Sequence, residues 1–185
     1  MARFVERVQA FLDKDMLLLA DTGDALFWSA EMRMPAVGAY VCQGYYLSIG
    51  YSVPAALGLS LAAPAKRVVV LVGDGAFQMT CQELSTIVRT GQRPIVFVLN
   101  NDGYAIERAI HDGPYNEIAP WRYHRLTDVF GGRGFDVRTE DELEKALEQA
   151  KASAELSLVE IHVGRDDVSP TFQRFAEILN RPTQA

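Results

Sequence analysis

Arg67-Val-Val-Val-Leu-Val-Gly-Asp-Gly75 is the stretch that decides the fold. Five apolar residues follow the arginine, four of them valine, with no alternation of polar and apolar positions. A strand with one wet face alternates. One that does not is covered on both faces, the habit of parallel sheets. This strand runs straight into the turn Gly73-Asp74-Gly75. A helix is expected next, from about Gln78 to Arg89, ended by Gly91. Pro94-Ile-Val-Phe-Val-Leu99 is a second strand of the same kind, and it runs into Asn100-Asn101-Asp102-Gly103. Strand, helix and returning strand make one right-handed crossover unit.

The same alternation extends outward. Phe4, Val5, Val8, Phe11 and Leu12 fall at helical spacing. Met16-Leu-Leu-Leu-Ala20 is a short buried strand. It ends in Asp21-Thr22-Gly23-Asp24, a polar turn able to cap the helix that follows. Val53 to Ala63 reads as a buried helix with Pro54 in its first turn. His111 to Trp121 is loop-like, broken by Gly113, Pro114 and Pro120. Thr139-Glu-Asp-Glu142 is a capping-box pattern starting a helix to about Lys151. Leu158 to Val163 is a last strand and Pro170 to Leu179 a last helix. The expected class is α/β: a three-layer, doubly wound, mostly parallel sheet with helices on both faces. The 185 residues make one domain, with a helix in 1–14 and a core over 15–185.

Composition narrows the function classes. With 49% hydrophobic and 23% charged residues, the chain is not disordered. Eighteen Lys and Arg against 24 Asp and Glu leave a net charge of −6 and no basic block, which argues against a nucleic-acid surface. Cys42 and Cys81 form no CxxC pair, so neither a disulfide framework nor a zinc site is indicated. No apolar run approaches ~20 residues, the length that spans a membrane. The first residues lack the apolar core of a signal peptide. A cytoplasmic protein is expected.

Ligands of open parallel sheets sit at the carboxyl ends of the strands. There, two glycines flank Asp74 where strand becomes helix, and 24 residues separate Gly75 from Asn100. Asp74 and an asparagine therefore fall on neighbouring strand ends. A carboxylate, a carboxamide oxygen and a loop carbonyl are half the octahedron that Mg²⁺ requires, with phosphate and water completing it. Glycine would let a bulky anion approach the backbone. Neither loop contains Lys or Arg, so metal and helix dipole would neutralise a phosphorylated ligand. The plain alternative is a structural turn with Asp74 as N-cap. Other sites find little support. There is no GxxxxGK[ST] and no GxSxG, and Gly131-Gly-Arg-Gly134 is not the GxGxxG of a nicotinamide-binding domain. His111, His124 and His162 show no metal-ligand spacing. His162, in an alternating strand, reads as structural and His124 as a surface or loop residue.

Gly73-Asp74-Gly75, 24 residues, then Asn100-Asn101 resembles the diphosphate-binding signature of thiamine diphosphate (ThDP) enzymes. Gln82-Glu83-Leu84, Val98 to Glu107, Tyr115-Asn116-Glu117-Ile118 and Trp121 resemble the 2-oxo acid decarboxylases, the pyruvate and indolepyruvate or phenylpyruvate branch. Gly44 to Ala56 leans towards the arylpyruvate members. The resemblance runs from about Met16 to Leu179. It implies a ThDP-binding fold, ThDP and Mg²⁺ as cofactors, and conversion of a small 2-oxo acid into an aldehyde and CO₂. It further implies that Asp74, Asn101 and the Gly103 carbonyl hold the metal. Gly73, Gly75 and Ala76 would meet the diphosphate, Thr22 would lie beside the cofactor, and Tyr104 and Ala105 would belong to the same site. Leu47-Ser48-Ile49 would carry the aminopyrimidine, with the Leu47 carbonyl accepting from its amino group. Ile49 would be the wedge that bends the cofactor into a V, so that its proton transfer becomes intramolecular. Ile106 would line the substrate pocket, and Glu107 would be the catalytic carboxylate that handles the proton. Without the resemblance Glu107 reads as a solvated first-turn glutamate.

The resemblance also implies incompleteness. Family decarboxylases are about three times longer, and this chain is similar to their last domain only. The glutamate that contacts the pyrimidine, and the histidine pair, belong to a pyrimidine-binding domain with no counterpart here. The expectation is half of an active site, a small subunit or a fragment, completed by a pyrimidine-binding domain or subunit in trans within a homo-oligomer and inactive alone. Two rivals are a carboligase of the acetohydroxyacid synthase type, which carries methionine where this chain has Ile49, and a non-catalytic ThDP-binding or dimer-forming module.

Overall fold

The computed structural model describes residues 1–179, so the end of the expected core, 180–185, lies outside the described residues. Six strands form one sheet: β1 (Met16–Ala20), β2 (Tyr40–Cys42), β3 (Arg67–Gly73), β4 (Ile95–Asn100), β5 (Arg133–Val137) and β6 (Ser157–His162). Their order is β2-β1-β3-β4-β6-β5, and every neighbouring pair is parallel. This is the α/β, doubly wound sheet that the unbroken apolar strands imply.

Each strand face supplies its own core. Leu18, Val69, Leu71, Phe97 and Val159 pack under α1 (Ala2–Phe11), α2 (Asp24–Ala30) and α8 (Glu140–Ala152). The intervening Leu19, Val68, Val70, Val96 and Leu158 pack under α3 (Ser52–Ala62), α4 (Asp74–Thr80) and α5 (Leu84–Arg89). Three layers result, and the two-sided burial explains the missing alternation in β3 and β4. Three further helices are α6 (Ala105–Ile110), α7 (Thr127–Phe130), whose Phe130 packs against the second core, and α9 (Pro170–Leu179). The capping box at α8 forms as expected: Glu142 N donates to Thr139 Oγ1 at 3.3 Å and Thr139 N to Glu142 Oε2 at 3.0 Å.

The structure departs from expectation in several places. The helix expected from about Gln78 starts at Asp74, straight off β3, and is interrupted by a 3₁₀ turn at Cys81–Glu83. Thr80 leaves helical geometry there (φ −138°), and its hydroxyl donates to the Gly50 carbonyl at 2.8 Å. The turn 21–24 does not cap α2 with a side chain; its N-cap is Gly23. Strands β2 and β5 were not foreseen. Both are sheet edges, which need only one pairing side and therefore carry no unbroken apolar run.

Strand β6 does not alternate either; all but its last residue are buried. Among them is Glu160, at 1% exposure. One of its oxygens accepts from Asn100 Nδ2 at 2.7 Å. The other accepts from the His124 backbone N–H at 3.1 Å and lies 2.6 Å from His124 Nδ1. His124 is thus a structural partner rather than a surface histidine. His162 is structural as expected, with Nε2 2.6 Å from Asp136 Oδ1. Exchanging Glu160 for Gln turns one accepting oxygen into a donor that faces other donors. We expect a loss of about 1–3 kcal/mol, measured as a lower urea midpoint at unchanged m-value.

Candidate functional site

A cleft of about 600 Å³ opens at the carboxyl ends of β1, β3 and β4. Thr22, Leu47, Ile49, Gly73, Asp74, Gly75, Ala76, Asn101, Gly103, Tyr104, Ala105, Ile106 and Glu107 all line it. Ser48 is the one candidate site residue that does not, and it stands exposed beside Leu47 and Ile49.

Asp74 is 1% exposed at the head of α4. Its Oδ1 accepts from Gly75 N at 2.8 Å and its Oδ2 from Gly103 N at 3.0 Å. The second bond crosses from β3 to the loop after β4 and sets their distance. Burial pushes the Asp74 carboxyl up to about 6, against the backbone donors from Gly103 and Gly75 that lower it. No cation is among these partners.

The side chain of Asn101 completes an unusual grouping. Turned by 180°, its amide nitrogen would donate to Asp74 Oδ1 at 3.2 Å and to the Gly103 carbonyl at 2.8 Å. That orientation satisfies both ends of the amide, whereas its oxygen in the same place would face only acceptors. With its oxygen turned inward, a carboxylate, a carboxamide and a peptide carbonyl would present three oxygens to one point, beside the backbone donors Gly75 N on Asp74 Oδ1 and Ala105 N on the Gly103 carbonyl at 3.0 Å. That donor set is hard, compact and anionic, which fits Mg²⁺.

The glycines of the two loops meet different surroundings. A Cβ on Gly73 would meet nothing within 4 Å, so its face is open. A Cβ on Gly75 would stand 2.4 Å from Tyr104 Cε1, so the missing side chain there makes room for a tyrosine ring. Gly103 has φ +124°, and a Cβ there would lie 2.4 Å from the Asn116 carbonyl oxygen. Gly103→Ala is expected to cost about 1–3 kcal/mol of backbone strain, plus the clash, read as a lowered Tm by circular dichroism.

The segment carrying Leu47 and Ile49 is held from both sides. Asp21, fully buried, accepts from Gly50 N at 3.0 Å and Ser52 N at 2.8 Å, while Thr80 grips Gly50 from α4. Leu47 sits in the left-handed region at φ 56°, and its N–H donates to Gln43 Oε1 at 2.7 Å. For a leucine that conformation costs about 1–2 kcal/mol, and such outliers collect at functional sites. Thr22 Oγ1 reaches the Gln43 carbonyl at 3.5 Å. Glu107 is exposed in the first turn of α6, facing the cleft.

Sequence reasoning missed Asp21, Asp24 and Gln43. Both oxygens of Asp24 accept from Ser169 N, at 3.0 and 3.1 Å, which ties the turn before α9 to the end of β1. A run of polar residues straight after a buried strand was the available signal. The aromatic wall of Phe27, Phe172 and Phe175 had none, because such residues at helical spacing look like core.

A family model described as thiamine pyrophosphate enzyme, C-terminal TPP binding domain, matches residues 21–161. Pyruvate decarboxylase 4 of Arabidopsis thaliana is 42% identical over 171 residues, 89% of this chain and 28% of that protein. Pyruvate decarboxylase 1 of Oryza sativa subsp. indica is 43% identical over the same share of this chain and 28% of its own. The chain thus spans under a third of these relatives' length. The crystal structure of benzoylformate decarboxylase from Polynucleobacter necessarius superposes with a TM-score of 0.80 at 21% identity, over 90% of this chain and 33% of that one. At that identity the likeness is one of fold. No helix among the described residues is long and apolar enough to cross a membrane.

Proposed function

The chain belongs to the thiamine pyrophosphate enzymes, as a C-terminal TPP-binding domain, and from that premise we propose that it forms one wall of a non-oxidative 2-oxo acid decarboxylase. Thiamine pyrophosphate is thiamine diphosphate, and with Mg²⁺ it is the family's cofactor pair. The observation that carries the reading is the meeting of the Asp74 carboxylate, the Asn101 side-chain amide and the Gly103 carbonyl at the ends of β3 and β4.

Those three oxygens would hold Mg²⁺, and the open face of Gly73 would receive the diphosphate, with Gly75 and Ala76 beside it. The strained Leu47 would present its carbonyl to the aminopyrimidine, and Ile49, which lines the same cleft, would support the bend of the cofactor. Thr22, Tyr104 and Ala105 line the same cleft, and Ile106 would bound the substrate. Bound ThDP supplies the nucleophilic carbon and the electron sink that decarboxylation needs. Glu107, at the cleft wall, would move the proton that the aldehyde product gains when CO₂ leaves. The substrate class is a small 2-oxo acid with an aryl or alkyl side chain.

The domain covering 1–185 would work in an oligomer with a pyrimidine-binding domain, which supplies the cleft's other wall. Val37, Tyr45, Tyr46 and Leu47 stand exposed beside the cleft segment and suit burial against such a partner. The purified chain, given ThDP, Mg²⁺ and phenylpyruvate, should release no CO₂. Turnover should appear when a pyrimidine-binding domain is supplied in trans or fused. Steady CO₂ and aldehyde release by the chain alone would overturn the half-site reading.

A further inference from the structure

We propose that Arg108 is the positioning residue of the metal loop: its buried guanidinium clasps the back of the loop and thereby aims the Gly103 carbonyl at the metal. The proposal rests on the assignment of Asp74, Asn101 and Gly103 as metal ligands.

Arg108 lies on α6, one residue after Glu107, and is only 9% exposed. Among the described residues it forms no ion pair with a carboxylate within 4.0 Å. Its Nη2 donates to the Asn101 carbonyl at 2.9 Å and to the Arg165 carbonyl at 2.7 Å. Its Nη1 donates to the Asp102 carbonyl at 3.1 Å, while its buried Nε has no partner. Burying a guanidinium against carbonyls alone is costly, and removing it leaves those carbonyls without donors.

What the arginine holds is a strained turn. Asp102 has φ 58° and Gly103 φ 124°, two successive residues of positive φ, the first of them not glycine. Arg108 engages the Asn101 and Asp102 carbonyls, while the Gly103 carbonyl accepts from Ala105 N at 3.0 Å and lies beside the Asn101 carboxamide. Asp74 closes the turn from the other side through the Gly103 N–H. The turn is therefore pinned between a cation behind and a carboxylate in front. The packing is close: a Cβ on Gly103 would stand 2.9 Å from Arg108 Nη1.

The same guanidinium couples three parts of the cleft. It sits on the helix that presents Ile106 and Glu107, it grips the loop of Asn101, and it reaches the segment after β6 through Arg165. Only a planar fork spans three carbonyls in this way; an ammonium is a single point. A lysine should serve partly, and an apolar side chain of similar length not at all.

The test uses the full chain with Mn²⁺ and inorganic pyrophosphate as probes, read by electron paramagnetic resonance. Wild type, Asp74→Ala, Arg108→Met and Arg108→Lys are compared below their unfolding temperatures. Supporting partners of metal ligands are worth roughly 10–100-fold in affinity. Arg108→Met should lose that much and alter the Mn²⁺ line shape, with Arg108→Lys falling between it and wild type. A purely structural arginine would lower Tm and leave affinity and line shape alone. Wild-type affinity in both Arg108 variants, while Asp74→Ala has lost the metal, overturns the positioning role alone. Absence of Mn²⁺ binding in wild type, or unchanged binding in Asp74→Ala, overturns the metal assignment and the proposal with it. Should Arg108→Met fail to fold, Arg108→Lys decides, since wild-type affinity there overturns the role.

Discussion

Asp74→Ala should abolish Mg²⁺-dependent binding of thiamine diphosphate in any competent assembly. Asp74 is the only charged oxygen in the converging set, since Asn101 contributes a carboxamide and Gly103 a peptide carbonyl. Without it, two neutral oxygens face a divalent ion that sheds its water reluctantly. The substitution also removes the acceptor for the Gly75 and Gly103 N–H groups, so the two loops lose their shared anchor. Outer partners of metal ligands typically cost about 10–100-fold when removed, and an anionic ligand should cost more than ~100-fold. Titration calorimetry of ThDP with and without Mg²⁺ reads this directly. Unchanged affinity would sink the metal assignment.

The second large effect is expected for Glu107→Gln, measured in the enzyme assembled with its pyrimidine-binding domain. Amide and carboxyl are nearly isosteric, so the cleft keeps its shape and ThDP should bind as before. What disappears is the ability to give or take a proton. Positioned acid–base groups contribute about 10²–10⁴-fold, and kcat should fall by that order with little change in cofactor affinity. A solvated first-turn glutamate would leave kcat where it was. That contrast matters because Glu107 is exposed in this chain. The residue earns its role only if the opposite wall of the cleft closes over it.

Much of this was legible in the chain. Two unbroken apolar strands, each ending in a glycine- or asparagine-bearing turn, carry both the fold class and the location of the site. The physics is local: burial on both faces erases alternation, and a parallel sheet gathers its strand ends on one side. The edge strands β2 and β5 were not legible, because pairing on one side leaves no apolar signature. The true start of α4 was hidden too. Asp74 and Gly75 read as a turn, while the strand runs straight into the helix without one.

Residue identity and spacing, then, determined the class of sheet, the ends where ligands meet it, and which oxygens and carboxylates gather there. Tertiary structure alone decided how those groups are held. It gave Gly75 to the ring of Tyr104, placed Asp21 beneath Gly50 and Ser52, and bent Leu47 to a positive φ. It also drove the guanidinium of Arg108 under the loop after β4. The Asp21 contacts join segments 29 and 31 residues apart, and Arg108 reaches the Arg165 carbonyl 57 residues on. Their formation depends on distances that the packed sheet sets, and no local pattern encodes them.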